Sequence, residues 1–416
     1  MRWRIAVLVS AAIAISYLDR QTLPVAIKAI AHDIPVTNEQ FSLLQSAFLL
    51  AYAFMYVGGG KLTDALGTRR GFTLIMLFWS AACLSHAVAV SFAMLVGSRF
   101  LLGAGEGGGF PAATRAVSEW FPVNERATAM GIINAGTAIG AVAAPPLIAG
   151  VLLFASWRWI FCITGTLGIV WTLWWRHSYF VPQERVSPAI SVSEGMPHSH
   201  ESSPTLHWFE LLKIRESWGL VLAKFLSDAA WYFYLFWLPK YLYDARGFDI
   251  KGVGKLAWIP YAAAGIGCLA GGGLSSYLLQ RNLSLGTSRK MALGLSAALM
   301  PFVLIITHVP ISWALFLFSL AYFGQQSWST LVMVLPTDLF PRSVVGSVAG
   351  LVGFGGAMGG IAFGELVGYL LDHGFGYGVV FTIAGMLHLV AFLVILLAIP
   401  VVAPLSATRL HREATV

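Results

Sequence analysis

The chain has 416 residues, of which 57% are hydrophobic and 11% are charged, and its formal net charge is +7 at pH 7. A soluble domain carries about 25% charged residues, so this composition excludes an ordinary soluble protein and indicates one that crosses a membrane many times. The three cysteines all lie in apolar segments, and their spacing matches neither a disulfide framework nor a metal site.

Twelve hydrophobic stretches follow one another along the chain, and each is close to the ~20 residues that a membrane-spanning helix needs. The sequence therefore predicts an all-α membrane protein whose twelve transmembrane helices form two pseudo-symmetric six-helix bundles. The stretches lie at 5–31, 41–60, 71–90, 92–114, 127–153, 158–175, 217–243, 253–279, 290–307, 311–335, 344–371 and 376–402.

The first stretch, from Ile5 to Ala31, contains a charged pair, Asp19 and Arg20, about halfway along its length. A charge at the centre of a spanning helix costs at least ~2.5–3.5 kcal/mol, and such residues usually face a bundle interior or a wet cavity. We therefore predict a binding site or a proton relay at this pair. The alternative is an ion pair that only locks helices together.

The fourth stretch carries a second pair of opposite charges, Arg99 and Glu106, with five glycines close to the glutamate. Because they are seven residues apart, the two side chains share one face of a helix at a separation of ~10 Å. Burial disfavours a charged carboxylate and a nearby arginine favours it, so such a group is suited to binding and releasing a proton. The alternative is a structural lock between Arg99 and Glu106.

The seventh stretch has Lys224, Asp228 and Trp231 at helical spacing on one face. We interpret the Lys–Asp pair as a packing or gate element rather than as a ligand-binding group. The aromatic run that begins at Trp231 and includes Tyr234 either lines a cavity and stacks on a sugar ring or anchors the helix at the membrane interface. Gln326, in the tenth stretch, is a further candidate for contact with a substrate.

A polar segment rich in Ser, Pro, His and Glu divides the stretches six and six. It predicts an N-terminal bundle at 1–175, a cytoplasmic linker at 176–216 and a C-terminal bundle at 217–416. The histidines of this segment match no standard metal motif, so we interpret them as part of a solvated linker. They are His177, His198, His200 and His207.

An internal repeat with an offset of 219 residues supports this division. An acidic residue followed by an aromatic-Pro turn recurs, and three glycines coincide in register after it. Glycine at such intervals lets membrane helices approach closely. Two parallel halves with a site near the midplane are the plan of a transporter. The matching positions are Glu119-Trp-Phe-Pro122 with Asp338-Leu-Phe-Pro341, Gly131 with Gly350, Gly136 with Gly355 and Gly140 with Gly359.

The placement of the basic residues predicts the orientation of the chain. Most of the 26 Lys and Arg residues fall at the two termini and in the loops that follow the even-numbered stretches. Cytoplasmic loops carry the excess of Lys and Arg, so both termini are expected in the cytoplasm. The basic excess is thus a topology signal, and it gives no support for nucleic-acid binding.

The loop between the second and third stretches reads Gly60-Lys-Leu-Thr-Asp64-Ala-Leu-Gly67-Thr-Arg69-Arg70. It resembles the loop signature of the major facilitator superfamily, G-x-L-x-D-x-x-G-x-R-R, at every fixed position. The resemblance implies the fold of that superfamily. It also implies that the loop is a conformational latch for one of the two access states of a transporter.

Three further segments, SYLDRQTLPVA (16–26), RFLLGAGEGGGFPAATRAVSEWFP (99–122) and KFLSDAAWYFYLFWLPKYL (224–242), resemble the anion:cation symporter family. The last of these and DLFPRSVVGSVAGLVG (338–353) are most similar to its hexuronate branch. That resemblance implies the following roles. Asp19 and Glu106 correspond to proton-titrating carboxylates, and Arg99 to an arginine that pairs alternately with them. Arg20 corresponds to the group that holds the substrate carboxylate, and Tyr52 to a tyrosine that contacts the substrate.

We therefore predict a monomeric, proton-coupled symporter that imports a small organic anion, a hexuronate or related sugar acid, by alternating access in the bacterial inner membrane. No metal or other cofactor is expected, and no nucleophile–base constellation supports an enzyme. One alternative is a proton-coupled antiporter that exports another solute, because Gly131, Gly140 and Pro145 partly match a signature of drug–proton exchangers. Another is a sensor derived from a transporter.

Overall fold

The computed structural model describes residues 2–121, 123–180, 211, 213–340 and 342–405. Most of the predicted linker, including His198, His200 and His207, lies outside the described residues. Within the described residues the chain is helical and contains no strand. Seven helical spans in this part are long and apolar enough to cross a membrane by length and composition.

Each of the twelve predicted stretches falls on helical structure, but several are interrupted. The fourth and eighth stretches each consist of two helices in succession, and the third and ninth end in 3₁₀ turns at His86–Val88 and Met300–His308. The α-helices are α1 Arg2–Asp33, α2 Asn38–Leu66, α3 Thr68–Ser85, α4 Phe92–Glu106, α5 Gly109–Trp120, α6 Val123–Leu152, α7 Trp157–Ser178, α8 Arg215–Asp244, α9 Ile250–Leu256, α10 Trp258–Gln280, α11 Leu285–Ala298, α12 Ile311–Leu339, α13 Arg342–Asp372 and α14 Tyr377–Ala398.

Small polar residues fix where several helices begin. Thr37 caps α2 through a capping box with Gln40, and Ser91 accepts a hydrogen bond from the Met94 amide at the start of α4. These side chains satisfy amide groups that have no partner inside the helix. Between α2 and α3 the chain turns at Gly67, whose φ of +75° is a conformation that glycine adopts without strain. The hydrophobic pattern marks the apolar core of each helix, whereas these caps set its ends.

The two halves repeat one helix pair. Helix α6 packs along α1 in the first half, and α13 packs along α8 in the second. Glycines make both contacts close, because a Cβ at Gly136 would collide with the Ser10 carbonyl oxygen and one at Gly359 with that of Phe225. These packing roles agree with the interpretation of the sequence repeat. Gly131 is different, since a Cβ there would meet nothing within 4 Å.

We expect Gly359→Ala to destabilise the protein while Gly131→Ala does not. The new methyl group at 359 would force α13 away from the α8 backbone, and overpacking of this kind costs about 1–3 kcal/mol. At 131 the same change meets open space and removes a flexible residue from a helix, which is neutral or mildly stabilising. Thermal unfolding of both variants in detergent tests this, and equal melting temperatures would contradict the packing role.

Candidate functional site: a central cavity between the two halves

A cavity of about 490 Å³ lies between the two halves of the molecule. Such a volume is within the range that small-molecule sites occupy. Both halves contribute polar and aromatic side chains to its wall. The first half provides Tyr17, Tyr52, Tyr56, Phe110, Thr114, Met130 and Asn134, and the second provides Lys224, Asp228, Tyr232, Ser329, Thr330, Met333 and Phe354.

The cavity opens on the side where α7 ends and α8 begins, which we call the linker side. Its lining residues occupy the middle of the helices and the part nearer this side, such as 110–114 of α5 and 224–232 of α8. At the other ends of the helices the halves are in contact. The Tyr243 hydroxyl donates to the Val25 carbonyl oxygen at 2.7 Å, and the Gln21 amide donates to that of Leu235 at 3.2 Å.

Arg20 and Glu106 form a buried ion pair beside the cavity. The Nε of Arg20 donates to Oε2 of Glu106 at 2.7 Å, and the hydroxyl of Ser16 donates to the same oxygen at 2.6 Å. The guanidinium carbon of Arg20 lies 4.6 Å from the ring centres of both Tyr17 and Tyr52, which line the cavity. The arginine is thus held between a carboxylate and two aromatic rings at the cavity wall.

The position of Glu106 follows from the glycines around it. Helix α4 ends at Glu106, and α5 begins again at Gly109. A Cβ at Gly103 would collide with the Phe48 carbonyl oxygen, and one at Gly107 would lie 2.6 Å from that of Tyr52. The glycines therefore bring α4 onto α2, which places Glu106 within reach of Arg20.

Asp19 is buried on the other side of α1 and does not contact Arg20. The indole Nε1 of Trp79 donates to Oδ2 of Asp19 at 2.7 Å, and the thiol of Cys83 lies 3.5 Å from Oδ1. Adjacent residues on a helix point in directions about 100° apart, so the two charges of the pair face different neighbours. The Asp-Arg dipeptide is therefore two separate buried sites.

Arg99 is completely buried and bonds to neither acid in this conformation. Its Nη2 donates to Oε1 of Gln45 at 2.6 Å, and its guanidinium carbon lies 4.8 Å from the ring centre of Phe48. Among the described residues, Nε and Nη1 of Arg99 and Oε1 of Glu106 have no hydrogen-bond partner. Gln45 was not identified from the sequence, although an amide one helical turn before Phe48 in a spanning stretch was an available signal.

The predicted substrate residues are not all at the cavity. Tyr52 lines it. Arg20 lies behind Tyr17 and Tyr52 and is not itself among the lining residues. Neither are Trp231, Tyr234 and Gln326. The ring of Trp231 packs edge-on against Tyr322 at 5.6 Å, and Tyr234 is buried. The contact of these three residues with a substrate stays a prediction.

The second-half wall instead contains Lys224, Asp228 and Tyr232. The Nζ of Lys224 lies 2.9 Å from Oδ1 of Asp228. Both residues line the cavity. The periodicity of α8 placed the pair on one face with Trp231. It did not show which face of that aromatic helix would meet the cavity.

The predicted latch lies at the linker side. Gly67 forms the turn, and Arg69 donates from Nη2 to the Arg176 carbonyl oxygen at 2.6 Å, which joins the loop to the end of α7. Arg70 is exposed. Gly60 and Asp64 both lie on α2, and the structure describes only their helical backbone, so the latch itself stays a prediction.

The side opposite the linker is closed by a contact between the halves. The carboxylate of Asp372, at the end of α13, accepts hydrogen bonds from the backbone amides of Asn38 and Glu39 at 3.0 and 2.8 Å, and from the Asn38 side chain at 2.7 Å. An anion is favourable at this place because the amino end of α2 carries a partial positive charge. Asp372 thus caps a helix of the other half.

We expect Asp372→Ala to open this side of the molecule. A lost helix cap costs about 1–2 kcal/mol, which corresponds to about a five- to thirtyfold shift in the equilibrium between open and closed forms. Maleimide labelling of Ser42→Cys, in a background without the native cysteines, measures the opening because Ser42 is fully buried at this contact. Asp249→Ala is the control, since Asp249 caps α9 within its own half. Equal labelling of the two variants would contradict the role of Asp372 in closing this side of the molecule.

Comparison with known proteins agrees with this architecture. The model of the Major Facilitator Superfamily matches residues 9–364. The hexuronate transporter of Escherichia coli (strain K12) is 31% identical over 405 residues, which cover 95% of this chain and 93% of that protein. The galacturonate transporter of Dickeya chrysanthemi is 32% identical over 308 residues, which cover 72% of this chain and 89% of that protein.

A solved structure is also similar over the whole length of the chain. It is a bacterial homolog to the human lysosomal transporter Spinster, in an inward-facing and occupied conformation. The TM-score is 0.71 at 16% sequence identity, and the alignment covers 99% of this chain and 96% of that chain. At this identity the similarity shows the fold alone.

Proposed function

The chain belongs to the major facilitator superfamily and is a multi-pass membrane transporter, not an enzyme, and we propose that it imports a hexuronate or related sugar acid together with protons. In this proposal it lies in the bacterial inner membrane with both termini in the cytoplasm. The cavity then opens inward. The relatives named as hexuronate and galacturonate transporters support the substrate class.

The observation that carries the proposal is the ion pair between Arg20 and Glu106, which lies beside the cavity behind Tyr17 and Tyr52. A guanidinium presents N–H donors in one plane, which suits the two oxygens of a carboxylate. Here Nε of Arg20 is already 2.7 Å from Oε2 of Glu106. A proton on Glu106 would remove its negative charge and free the guanidinium for the carboxylate of the substrate. Binding of the anion and binding of the proton are thereby linked.

Arg99 is available as the partner of a carboxylate in a second conformation of the transporter. A buried guanidinium with two nitrogens that lack partners among the described residues is costly, because a desolvated charge needs a compensating group. Asp19 and Glu106 are the two buried carboxylates among the described residues of the first half. We propose that one of them pairs with Arg99 when the helices rearrange. Asp19, held by Trp79, is the second proton-binding site.

The test is uptake of labelled glucuronate or galacturonate into proteoliposomes with an imposed proton gradient, inside alkaline. The expected result is accumulation above the external concentration that a protonophore abolishes. Uptake that only equilibrates and ignores the gradient would overturn proton coupling. Accumulation driven by the opposite gradient would favour the antiporter that exports its solute.

A further inference from the structure

The second half of the cavity wall carries its own buried pair of opposite charges. Lys224 and Asp228 lie one turn apart on α8, and the side chain of each is 9% exposed. Besides Asp228, Nζ of Lys224 contacts the hydroxyl of Ser329 on α12, to which it donates at 2.8 Å. All three residues line the same cavity as Tyr17 and Tyr52.

The backbone of α13 holds the pair in place from one side. A Cβ at Gly356 would collide with Oδ2 of Asp228 and would lie 3.1 Å from Cγ of Lys224. Helix α13 can therefore approach only because residue 356 has no side chain. The pair is wedged between α13 and α12.

The pair retains unused hydrogen-bonding capacity. An ammonium group has three donors, and one donor of Lys224 is engaged by the hydroxyl of Ser329, while Asp228 pairs with the ammonium charge. A carboxylate has about four lone-pair sites, and Oδ1 of Asp228, although 2.9 Å from Nζ, makes no well-aligned hydrogen bond with any described residue. Oδ1 itself is buried, but both residues line the cavity, so an unsatisfied donor and an unsatisfied acceptor lie side by side next to it.

We propose that Lys224 and Asp228 form a hydroxyl-binding subsite, in which Lys224 donates to one hydroxyl of the sugar acid and Asp228 accepts from the same or the adjacent one. A hydroxyl group is the ligand that such a pair suits, because it both donates and accepts while the ion pair stays intact. A second carboxylate would instead meet the negative charge of Asp228. This subsite rests on the proposed function and takes the end of the substrate remote from Arg20.

The subsite explains selectivity between sugar acids and plain carboxylates. A site built to hydrogen-bond a hydroxyl rejects the analogue that lacks it, since its buried polar groups are then left without partners. In contrast, if the ion pair only stabilises the packing of the helices, its substitution would change the affinity for all ligands equally. The distinguishing quantity is therefore the ratio of two affinities, not the affinity for one ligand.

The experiment measures that ratio by calorimetry on the full-length protein in detergent. The probes are galacturonate, glucuronate and hexuronate analogues that each lack one ring hydroxyl. For at least one hydroxyl, the unchanged protein should prefer the parent acid by about tenfold or more. In Asp228→Asn and in Lys224→Gln this preference should fall to about twofold or less, with binding of that deoxy analogue retained.

The matched control is Asp244→Asn. Asp244 pairs with Lys240 at the same spacing on the same helix, and neither residue lines the cavity. The preference should persist in this variant. The double variant Lys224→Gln with Asp228→Asn keeps neutral hydrogen-bonding groups at both positions, and it replaces either single variant that fails to fold.

Two results would count against the subsite. An unchanged preference in both variants, or equal losses for parent and deoxy acids, would overturn the subsite and leave the proposed function standing. If the unchanged protein binds no sugar acid at all, the proposed function falls and the subsite falls with it.

Discussion

Arg20→Lys is expected to weaken the binding of galacturonate or glucuronate about 10- to 150-fold. Lysine keeps the charge, so the pair with Glu106 can persist, but it loses the planar fork that grips a carboxylate and the flat surface that stacks between Tyr17 and Tyr52. Hydrogen bonds to charged groups contribute about 1.5–3 kcal/mol, and each 1.4 kcal/mol is a factor of ten. Calorimetric titration of the purified protein measures the loss.

Arg158→Lys is the matched control. Arg158 also pairs with an aspartate, Asp33, at 2.7 Å and also stacks on an aromatic ring. Unlike Arg20, it contacts no residue that lines the central cavity. Its substitution should leave the affinity within about twofold of the original. Equal affinities for the Arg20→Lys variant and the unchanged protein would remove Arg20 from the site.

Glu106→Gln should abolish uphill transport while downhill exchange continues. Glutamine has the shape of the protonated glutamate and its oxygen can still accept from Ser16 and Arg20, but it can neither bind nor release a proton. The variant would therefore be fixed in the state that corresponds to the protonated carrier. The accumulation ratio should fall to one under any proton gradient, with exchange of labelled for unlabelled substrate retained within about tenfold.

Glu365→Gln separates proton coupling from a general effect of losing a carboxylate. Glu365 accepts a hydrogen bond from Ser46 at 2.5 Å, as Glu106 does from Ser16, yet none of the ion pairs found among the described residues joins it to an arginine. Its substitution should leave accumulation intact. If Glu106→Gln concentrates the substrate as well as the unchanged protein does, Glu106 is not the coupling residue.

Of the residues that the sequence assigned to substrate contact, Tyr52 in the first half lines the central cavity, whereas Trp231, Tyr234 and Gln326 in the second half do not. The buried charges of α1 and α4 were identified because an ionisable group in a spanning helix is expensive and therefore conspicuous. The aromatic run of α8 has no such contrast. Tyr234 is buried, the partly buried Trp231 packs against Tyr322, and Tyr232 lines the cavity.

The sequence by itself determined the all-α class, the positions of the spanning stretches, the internal repeat and the buried charges at 19, 20, 99 and 106. These follow from local hydrophobicity, since a bilayer admits long apolar helices and penalises every charge within them. Only the tertiary structure decided the partner of each charge: Glu106 for Arg20, Trp79 for Asp19 and Gln45 for Arg99. It also decided that Lys224 and Asp228 meet the cavity. The physical reason is that lipid and protein neighbours are both apolar, so the rotation of a membrane helix is set by close packing at small residues in distant segments, as at Gly103 and Gly356.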